Sequence, residues 1–314
     1  MNKYKLGEFI RYYRKKQKVS QADLCRNLCS VATMSRIENG ETDTPVMMAQ
    51  TLLERLGLNV NKFELLLDRD DSRYFRRRDE VDEALWKRDI PLAEKELAAY
   101  EAMVEEDKLH QQYIKLQKAK ILLLKAENAE PSPEPVEKEN LYNRAEQLLA
   151  EAAEYTIPKS SSEGEELLLS KIEIEILLTK VRKYQKENLL RVHNYMKKHY
   201  SMELMEEIYP MVQLELAKIL IEEKKYQEAL REIEDGLEVT GNGRSYCYCA
   251  DLHFLYAQVL PKLNAEMEEQ IQEECVSQCL QAYYLYDFDE DKRAGEVVKY
   301  LREVLQWECI EQEM

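Results

Sequence analysis

Two side chains suited to reading the edges of nucleic-acid bases stand three residues apart, at Thr33 and Arg36. An Arg guanidinium can donate two parallel hydrogen bonds to guanine O6 and N7, and a Thr side chain can hydrogen-bond a base. Ala32 precedes them, and its methyl group is small enough to touch a thymine methyl at close range. These residue types favour non-covalent recognition of double-stranded DNA.

The signals around these residues predict two short helices joined by a tight turn. Ser20 and Ser30 are favourable N-caps, and Gly40 is placed to end the second helix with a positive φ. The first helix carries a small and apolar face of Ala22, Leu24, Cys25 and Leu28. This arrangement is the plan of a helix-turn-helix, and the alternative is an amphipathic hairpin within a helical protein.

The segments SQADL and MSRIENG resemble the lambda-repressor-like, XRE-type DNA-binding domain over roughly residues 5–66. The short CSVATMSRIE connection resembles the Rgg, PlcR and PrgX group of peptide-pheromone receptors. The resemblance implies two sets of DNA contacts: base reading by Val31, Ala32, Thr33 and Arg36, and phosphate binding by Gln21 and Asn39. Many relatives have longer polar residues where this chain has Val31 and Ala32, so the reading of bases rests mainly on Arg36 and Thr33.

The rest of the predicted head is helical as well. Residues 5–17 form an amphipathic pattern, and Arg14, Lys15 and Lys18 lie on or next to its exposed side, where we expect phosphate contacts. Further helices are predicted from Thr44–Pro45 to Gly57 and over residues 61–67. We therefore expect a five-helix domain over residues 1–67.

Charge divides the chain in the same place. The whole chain has a formal charge of −16, but residues 1–66 carry eleven Lys and Arg against seven Asp and Glu. The remaining residues carry a charge of −20. A basic head on an acidic body is typical of a protein that contacts phosphate at one end, although solvated helix faces explain most of the acidic charge equally well.

Targeting and redox signals are sparse. No apolar stretch follows the initial MNKYK, and no apolar run approaches the length of a membrane span, so the sequence predicts a cytoplasmic protein without membrane contact. The seven cysteines include no CxxC pair, and we expect them to pack as small apolar groups. We predict no metal site and no cofactor, with a zinc site or a redox pair as the weaker alternatives.

Beyond a linker at residues 68–78, helix pairs recur every ~34–45 residues over 79–314, which is typical of an α-solenoid. The predicted pairs are 74–87 with 90–106, 108–126 with 136–155, 163–184 with 186–199, 203–224 with 226–240 and 244–263 with 267–286, followed by a capping helix at 289–310. The stretch 214–239 resembles a tetratricopeptide repeat, with Ala217, Ala229 and Gly236 where close helix packing needs small residues. An irregular helical bundle is the alternative.

The first helices of such pairs line a concave groove suited to extended peptides. Together with the XRE-type head, this implies by resemblance a homodimer whose DNA binding responds to a short signalling peptide. The candidate groove residues are Gln112, Lys115, Gln117, Lys171, Glu175, Gln213, Lys218, His253, Tyr256 and Gln258, each of which can equally be solvated surface or helix packing. The family commonly clamps peptide backbone with groove asparagines, and residues 165–182, 211–224 and 245–263 contain none.

Other classes of function have less support. The chain contains no GxGxxG, Walker, HExxH or GxSxG motif, and its four histidines are scattered, so we predict no enzymatic activity. A regulator whose repeats bind a protein, or an interaction scaffold that binds no DNA, remains the alternative. The prediction is an all-α transcription regulator with a helix-turn-helix head and a tetratricopeptide-like solenoid.

Overall fold

The computed structural model describes residues 3–58, 69–104, 107–128, 135–158, 167–199, 202–242, 248–263, 269–288, 291 and 293–307. Every regular element within these ranges is an α-helix, in agreement with the predicted all-α class. The helices are α1 (Lys3–Lys16), α2 (Gln21–Leu24), α3 (Val31–Glu38), α4 (Val46–Arg55), α5 (Arg69–Trp86), α6 (Ile90–Met103), α7 (Lys108–Asn128), α8 (Pro135–Thr156), α9 (Lys171–Leu178), α10 (Lys186–His199), α11 (Met202–Glu222), α12 (Tyr226–Asn242), α13 (Cys249–Leu263), α14 (Glu269–Phe288) and α15 (Ala294–Glu303).

The chain forms two compact units, Met1–Asn188 and Leu189–Met314. This division differs from the predicted boundary at residues 68–78, because residues 69–78 are the first part of helix α5. The first unit therefore contains both the predicted head and the first helices of the predicted body. The functional division into 1–67 and 79–314 stays a prediction.

Helices α1 to α4 enclose the core of the head. Ile10, Leu24, Met34 and Leu52, one from each helix, have no solvent exposure. Helix α1 crosses α3 at Gly7, where an added Cβ would lie 2.1 Å from the carbonyl oxygen of Ile37. Only glycine allows these two backbones to approach so closely. The predicted fifth helix at 61–67 lies outside the described residues.

In the first unit, α5 packs on α6 and α7 packs on α8, as the predicted pairs require. The apolar faces of α5, α6 and α7 share a core that consists of Val81, Ala84, Ala93, Leu97, Tyr100, Tyr113, Ile114 and Ile121. The helix predicted over residues 163–184 is wrong in extent, because residues 167–170 and 179–185 are not helical. Ser170 caps α9 with Glu173 in a capping box, and the extended backbone at Thr179 ends it.

In the second unit, α11 packs on α12 and α13 packs on α14. Gly236 of α12 faces α11 and α13, and an added Cβ would lie 2.9 Å from Leu252 Cδ1 and 3.2 Å from Gln213 Cβ. This confirms that a small residue is needed here for close helix packing. Cys275 and Cys279 are fully buried in the core of α13, α14 and α15, which confirms their role as small apolar groups. The capping helix α15 is shorter than the predicted 289–310.

Candidate nucleic-acid interface

The helix-turn-helix of the head consists of α2, a turn, and α3. Ser20 Oγ accepts a hydrogen bond from the Asp23 backbone N–H at 3.0 Å, and Ser30 Oγ accepts one from the Thr33 N–H at 3.1 Å. Both predicted N-caps are therefore confirmed. Gly40 follows the end of α3 with a φ of 68°, as predicted. The local sequence thus fixes where the second helix begins and ends.

The two faces of α3 differ in exposure. Met34 and Ile37 point into the core of the head. On the opposite face Val31, Ala32 and Arg36 are exposed, and Thr33 is partly exposed with its Oγ1 2.9 Å from Ser30 Oγ. Within the described residues the Arg36 guanidinium has no hydrogen-bond or ion-pair partner, so all its donors face solvent. The structure brings the four predicted base-reading residues to the surface together.

A buried carboxylate at the end of α3 ties the head together. Glu38 is 1% exposed, and its oxygens accept hydrogen bonds from Arg14 Nε at 2.5 Å and Gln21 Nε2 at 2.7 Å. Arg11 Nε lies 3.4 Å from the same carboxylate. Burial alone raises the pKa of Glu38, but these donors outweigh it and hold the pKa below its usual value. An ionised Glu38 therefore anchors α3 against α1 and α2.

This anchor changes the expected role of two predicted phosphate ligands. All three guanidinium nitrogens of Arg14 have partners within the head, since Nη1 donates to the Val19 carbonyl at 2.9 Å and the other two donate to Glu38. Arg14 therefore positions α3, and Gln21 shares that task through its bond to Glu38. Their contact with phosphate remains untested.

The other predicted phosphate ligands lie at the surface. Lys15 and Lys18 are exposed, with Lys18 in the turn after α1. Asn39 is exposed at the end of α3, where its Nδ2 donates to Glu41 at 2.9 Å and its Oδ1 accepts from Arg11. Lys15, Lys18 and Arg36 are thus exposed cations of the head, which is the state that contact with DNA requires.

Sequence reasoning missed the contacts that hold the head on α7, α8 and α9. Arg55 of α4 is 1% exposed and forms an ion pair with the buried Glu173 of α9, Nη2 to Oε1 at 2.5 Å. Lys108 Nζ of α7 donates to the carbonyls of Asn27 and Leu28, at 2.5 and 2.7 Å, in the turn before α3. Arg55 and Glu173 are 118 residues apart, and no local pattern in the sequence indicates their pairing.

A second contact of this kind involves Arg78 of α5, which is 8% exposed. Its Nη1 lies 3.2 Å from Met47 Sδ of α4, and its guanidinium lies 4.0 Å from the centre of the Tyr113 ring. This residue belongs to the segment predicted as a linker. It instead packs between the head and α7.

The predicted groove residues fall into different environments. In the first unit Gln112 and Gln117 are buried, and Lys171 is exposed. Two other residues form ion pairs, Lys115 with Glu151 and Glu175 with Lys120. In the second unit Gln213 is buried, and Tyr256 and Gln258 are partly exposed. Lys218 is exposed and forms an ion pair with Glu215, and His253 forms a hydrogen bond with Gln278. The buried glutamines are not available to a ligand in this conformation.

The three buried glutamines differ in hydrogen bonding. Gln112 donates to the Ala152 carbonyl at 3.1 Å and to Thr156 Oγ1 at 2.6 Å, which joins α7 to α8. Among the described residues Gln117 Oε1 has no hydrogen-bond partner, and neither amide atom of Gln213 has one. An unpaired buried amide is costly, so Gln213 is a weak point of its helix pair.

A pocket of 370 Å³ opens between α6, α7 and α8 in the first unit. Leu97, Ile121 and Leu148 supply apolar walls, and Lys118 pairs with Glu101 at the rim at 2.8 Å. None of the predicted groove residues lines it. An apolar pocket with a charged rim can accept an apolar side chain and hold polar groups around it.

Fold and site together define a helix-turn-helix head followed by packed helix pairs. Residues 10–63 match the helix-turn-helix family model, so this part of the chain is a helix-turn-helix domain. No curated protein sequence matches the chain. Among the described residues no helix is long and apolar enough to cross a membrane.

Solved structures with a similar fold cover nearly the whole chain. The apo form of PlcR from Bacillus thuringiensis aligns over 94% of this chain and 98% of that one, at 16% identity and a TM-score of 0.51, which shows a shared fold. PlcR in complex with the peptide PapR7 and DNA aligns over 96% and 99%, at 20% identity and a TM-score of 0.47. Apo ComR, a competence regulator from Streptococcus vestibularis, aligns over 96% and 98%, at 15% identity and a TM-score of 0.44.

Proposed function

We propose that this chain is a sequence-specific, DNA-binding transcription regulator that acts as a homodimer in the cytoplasm and is not an enzyme. We further propose that a short signalling peptide, bound in the concave groove of its tetratricopeptide-like helices, switches its DNA binding. The exposed face of α3 carries the first proposal. There Arg36 extends into solvent, beside the exposed small side chains of Val31 and Ala32.

The arrangement of the head supports insertion of α3 into the major groove. Small residues at the start of the helix allow its backbone to come close to the base edges, and Arg36 lies one turn further on. The exposed Lys15 and Lys18 would contact phosphate, which supplies affinity without reading sequence. The buried Glu38 anchor keeps α3 rigid, so that little ordering of the head is needed on binding.

The peptide part of the proposal is supported by the fold. PlcR, which shares the fold, has been solved with the peptide PapR7 and DNA. To act as a switch, the peptide must bind one conformation of the protein more tightly than another.

Selection from random-sequence duplex DNA with the full-length protein tests DNA recognition. The proposal predicts enrichment of two inverted half-sites separated by about one helical turn or a multiple of it, because a two-fold dimer presents two copies of α3. Absence of any enriched sequence contradicts sequence-specific recognition. A single unpaired half-site contradicts the homodimer and leaves DNA recognition in place.

Calorimetry of the full-length protein tests the peptide. The probes are short peptides encoded by open reading frames next to the gene, each titrated with and without the selected DNA. The proposal predicts that one peptide binds and changes the DNA affinity by the same factor by which DNA changes the peptide affinity. Binding of DNA without binding of any such peptide would favour a protein partner for the helical repeats.

A further inference from the structure

The turn between α2 and α3 holds two cysteines, Cys25 and Cys29. The Cys29 backbone N–H donates to the Cys25 carbonyl at 3.1 Å, so the two residues are one helical turn apart. The two thiols affect each other's pKa values, and Cys25 Sγ donates a weak hydrogen bond to the Ala22 carbonyl at 3.9 Å. Cys25 is 2% exposed, whereas Cys29 is partly exposed, so a small oxidant reaches Cys29 first. The pair thus joins an accessible thiol to a buried one.

Two cations bind the backbone of this turn. Lys108 Nζ donates to the carbonyls of Asn27 and Leu28, and Arg55 Nη1 donates to those of Leu24 and Arg26, at 3.1 and 2.7 Å. Both positive charges therefore lie next to the turn that holds the cysteine pair. Positive charge next to a thiol stabilises its thiolate, which is the reactive form.

The two thiols differ accordingly in acidity. The neighbouring Cys25 thiol, with the charges of Lys108 and Arg55, lowers the pKa of Cys29 to about 7 despite partial burial. The neighbouring Cys29 thiol and burial raise the pKa of Cys25. At neutral pH, Cys29 is therefore the nucleophile of the pair and Cys25 stays a thiol.

We propose that Cys25 and Cys29 form a redox-active pair that hydrogen peroxide converts to a disulfide. The Cys29 thiolate attacks one peroxide oxygen, the O–O bond breaks, and Cys29 becomes a sulfenic acid while the other oxygen leaves as hydroxide and takes up a proton to form water. Cys25 Sγ then attacks Cys29 Sγ, the S–O bond breaks, and the second water leaves with the Cys25 proton. Each disulfide formed consumes one peroxide and releases two waters.

Disulfide formation changes the start of α3. Residues one helical turn apart have Cβ atoms about 5–6 Å apart, whereas a disulfide needs about 3.5–4.5 Å, so the turn must tighten. Cys29 directly precedes Ser30, the N-cap of α3. Oxidation therefore displaces this cap, and, on the basis of the proposed function, it causes a loss of DNA affinity, because the first turn of α3 is no longer fixed by its cap.

Peptide mapping of the peroxide-treated full-length protein tests the chemistry without DNA. Trypsin cleaves after Lys18, Arg26 and Arg36, so a disulfide joins the otherwise separate peptides 19–26 and 27–36. Cys275 and Cys279 have the same spacing but are fully buried, and burial raises their pKa values to about 11 and about 12. This second pair is the internal control.

We expect the linked peptides at peroxide doses that leave Cys275 and Cys279 reduced. If both pairs stay reduced to the same extent at every peroxide dose, the proposal is overturned. In Cys25→Ser, Cys29 accumulates as a sulfenic acid that dimedone traps, and in Cys29→Ser, Cys25 stays reduced. Oxidation of Cys25 in Cys29→Ser, with thermal unfolding unchanged, overturns the assigned roles.

Measurement of DNA binding before and after oxidation separates this proposal from the proposed function. Sequence-specific binding by the reduced protein that weakens with the linked peptides, and returns after thiol reduction, supports both. If the linked peptides form while the reduced protein binds no DNA, the redox pair stands and the proposed function fails. If the linked peptides form and DNA binding is unchanged, the proposal that the disulfide disturbs α3 is wrong.

Discussion

Arg55 and Glu173, 118 residues apart in sequence, form a fully enclosed ion pair that holds the helix-turn-helix head on helix α9. The guanidinium also donates to the carbonyls of Leu24, Arg26 and Thr156. Glu173 in turn accepts from the Ser170 N–H at 2.6 Å. Because both charges and their remaining donors and acceptors are paired, this junction between the head and α9 behaves as one polar cluster.

Removal of one partner from this cluster should be strongly destabilising. We expect Arg55→Ala to lower the free energy of unfolding by about 3–5 kcal/mol, because it leaves the Glu173 charge buried and uncompensated. Denaturant unfolding measures the change. The control is Lys218→Ala, which removes an exposed pair with Glu215 and should cost no more than about 1 kcal/mol. Equal effects of the two variants would contradict the account of the junction.

Gly7 gives a test of the contact between α1 and α3. Gly7→Ala should destabilise the protein by about 3 kcal/mol, because the new Cβ meets the Ile37 carbonyl and forces the two backbones apart. Thermal unfolding of the full-length protein measures the loss. Gly295→Ala is the matched control, since nothing lies within 4 Å of its Cβ position and helix propensity favours alanine. A stable Gly7→Ala protein would show that the close contact is absent.

Acid should loosen the head through Glu38 and Glu173. Burial raises the pKa of Glu38, but Arg14, Gln21 and Arg11 together lower it below the usual value. Burial likewise raises the pKa of Glu173, and Arg55 lowers it below the usual value. The unfolded chain, with Glu pKa values of about 4.3, binds protons first as the pH falls. The free energy of unfolding should therefore decrease below about pH 5 and continue to fall until the folded protein is also protonated.

The pH dependence of unfolding in two variants isolates this contribution. Glu38→Gln removes one titrating carboxylate and should make the decrease in stability between about pH 5 and pH 3 shallower than in the wild type. Glu296→Gln, at an exposed position of α15, should follow the wild type. Parallel curves for all three proteins would mean that Glu38 does not contribute.

We expect substitution by methionine at two buried glutamines to change the free energy of unfolding in opposite directions. Gln213→Met should raise the free energy of unfolding by about 1–2 kcal/mol, because it removes a buried amide that has no hydrogen-bond partner in the described part of the chain. Gln112→Met should lower it by a similar amount, because it breaks two hydrogen bonds between α7 and α8. Denaturant unfolding of both variants gives the comparison. A loss of stability in Gln213→Met would show that its amide is paired in solution.

Local signals in the sequence were sufficient to predict the helix limits in the head and one site of close helix packing. Ser20, Ser30 and Gly40 set the limits of α2 and α3, and small residues such as Gly236 marked close helix packing. These features depend on neighbouring residues and on helix periodicity, which the sequence displays directly.

Contacts between distant residues were not predictable in the same way. Nothing local indicates that Arg14 is neutralised by Glu38, that Arg55 reaches Glu173, or that Lys108 binds the turn before α3. The same limit applies to Gln112, whose polarity suggested a groove while its partners lie on the adjacent helix α8. Polar residues buried by tertiary packing look like surface residues until the fold is known.

The central claim is that Arg36 on the exposed face of α3 reads DNA sequence. Competition binding on the selected operator and on unrelated duplex DNA, at one fixed salt concentration, compares wild type, Arg36→Ala and Arg231→Ala, the last being an exposed arginine of α12. The account predicts that Arg36→Ala loses about 1–3 kcal/mol of discrimination, roughly 5- to 150-fold, while Arg231→Ala retains it. Unchanged discrimination by Arg36→Ala would contradict the account.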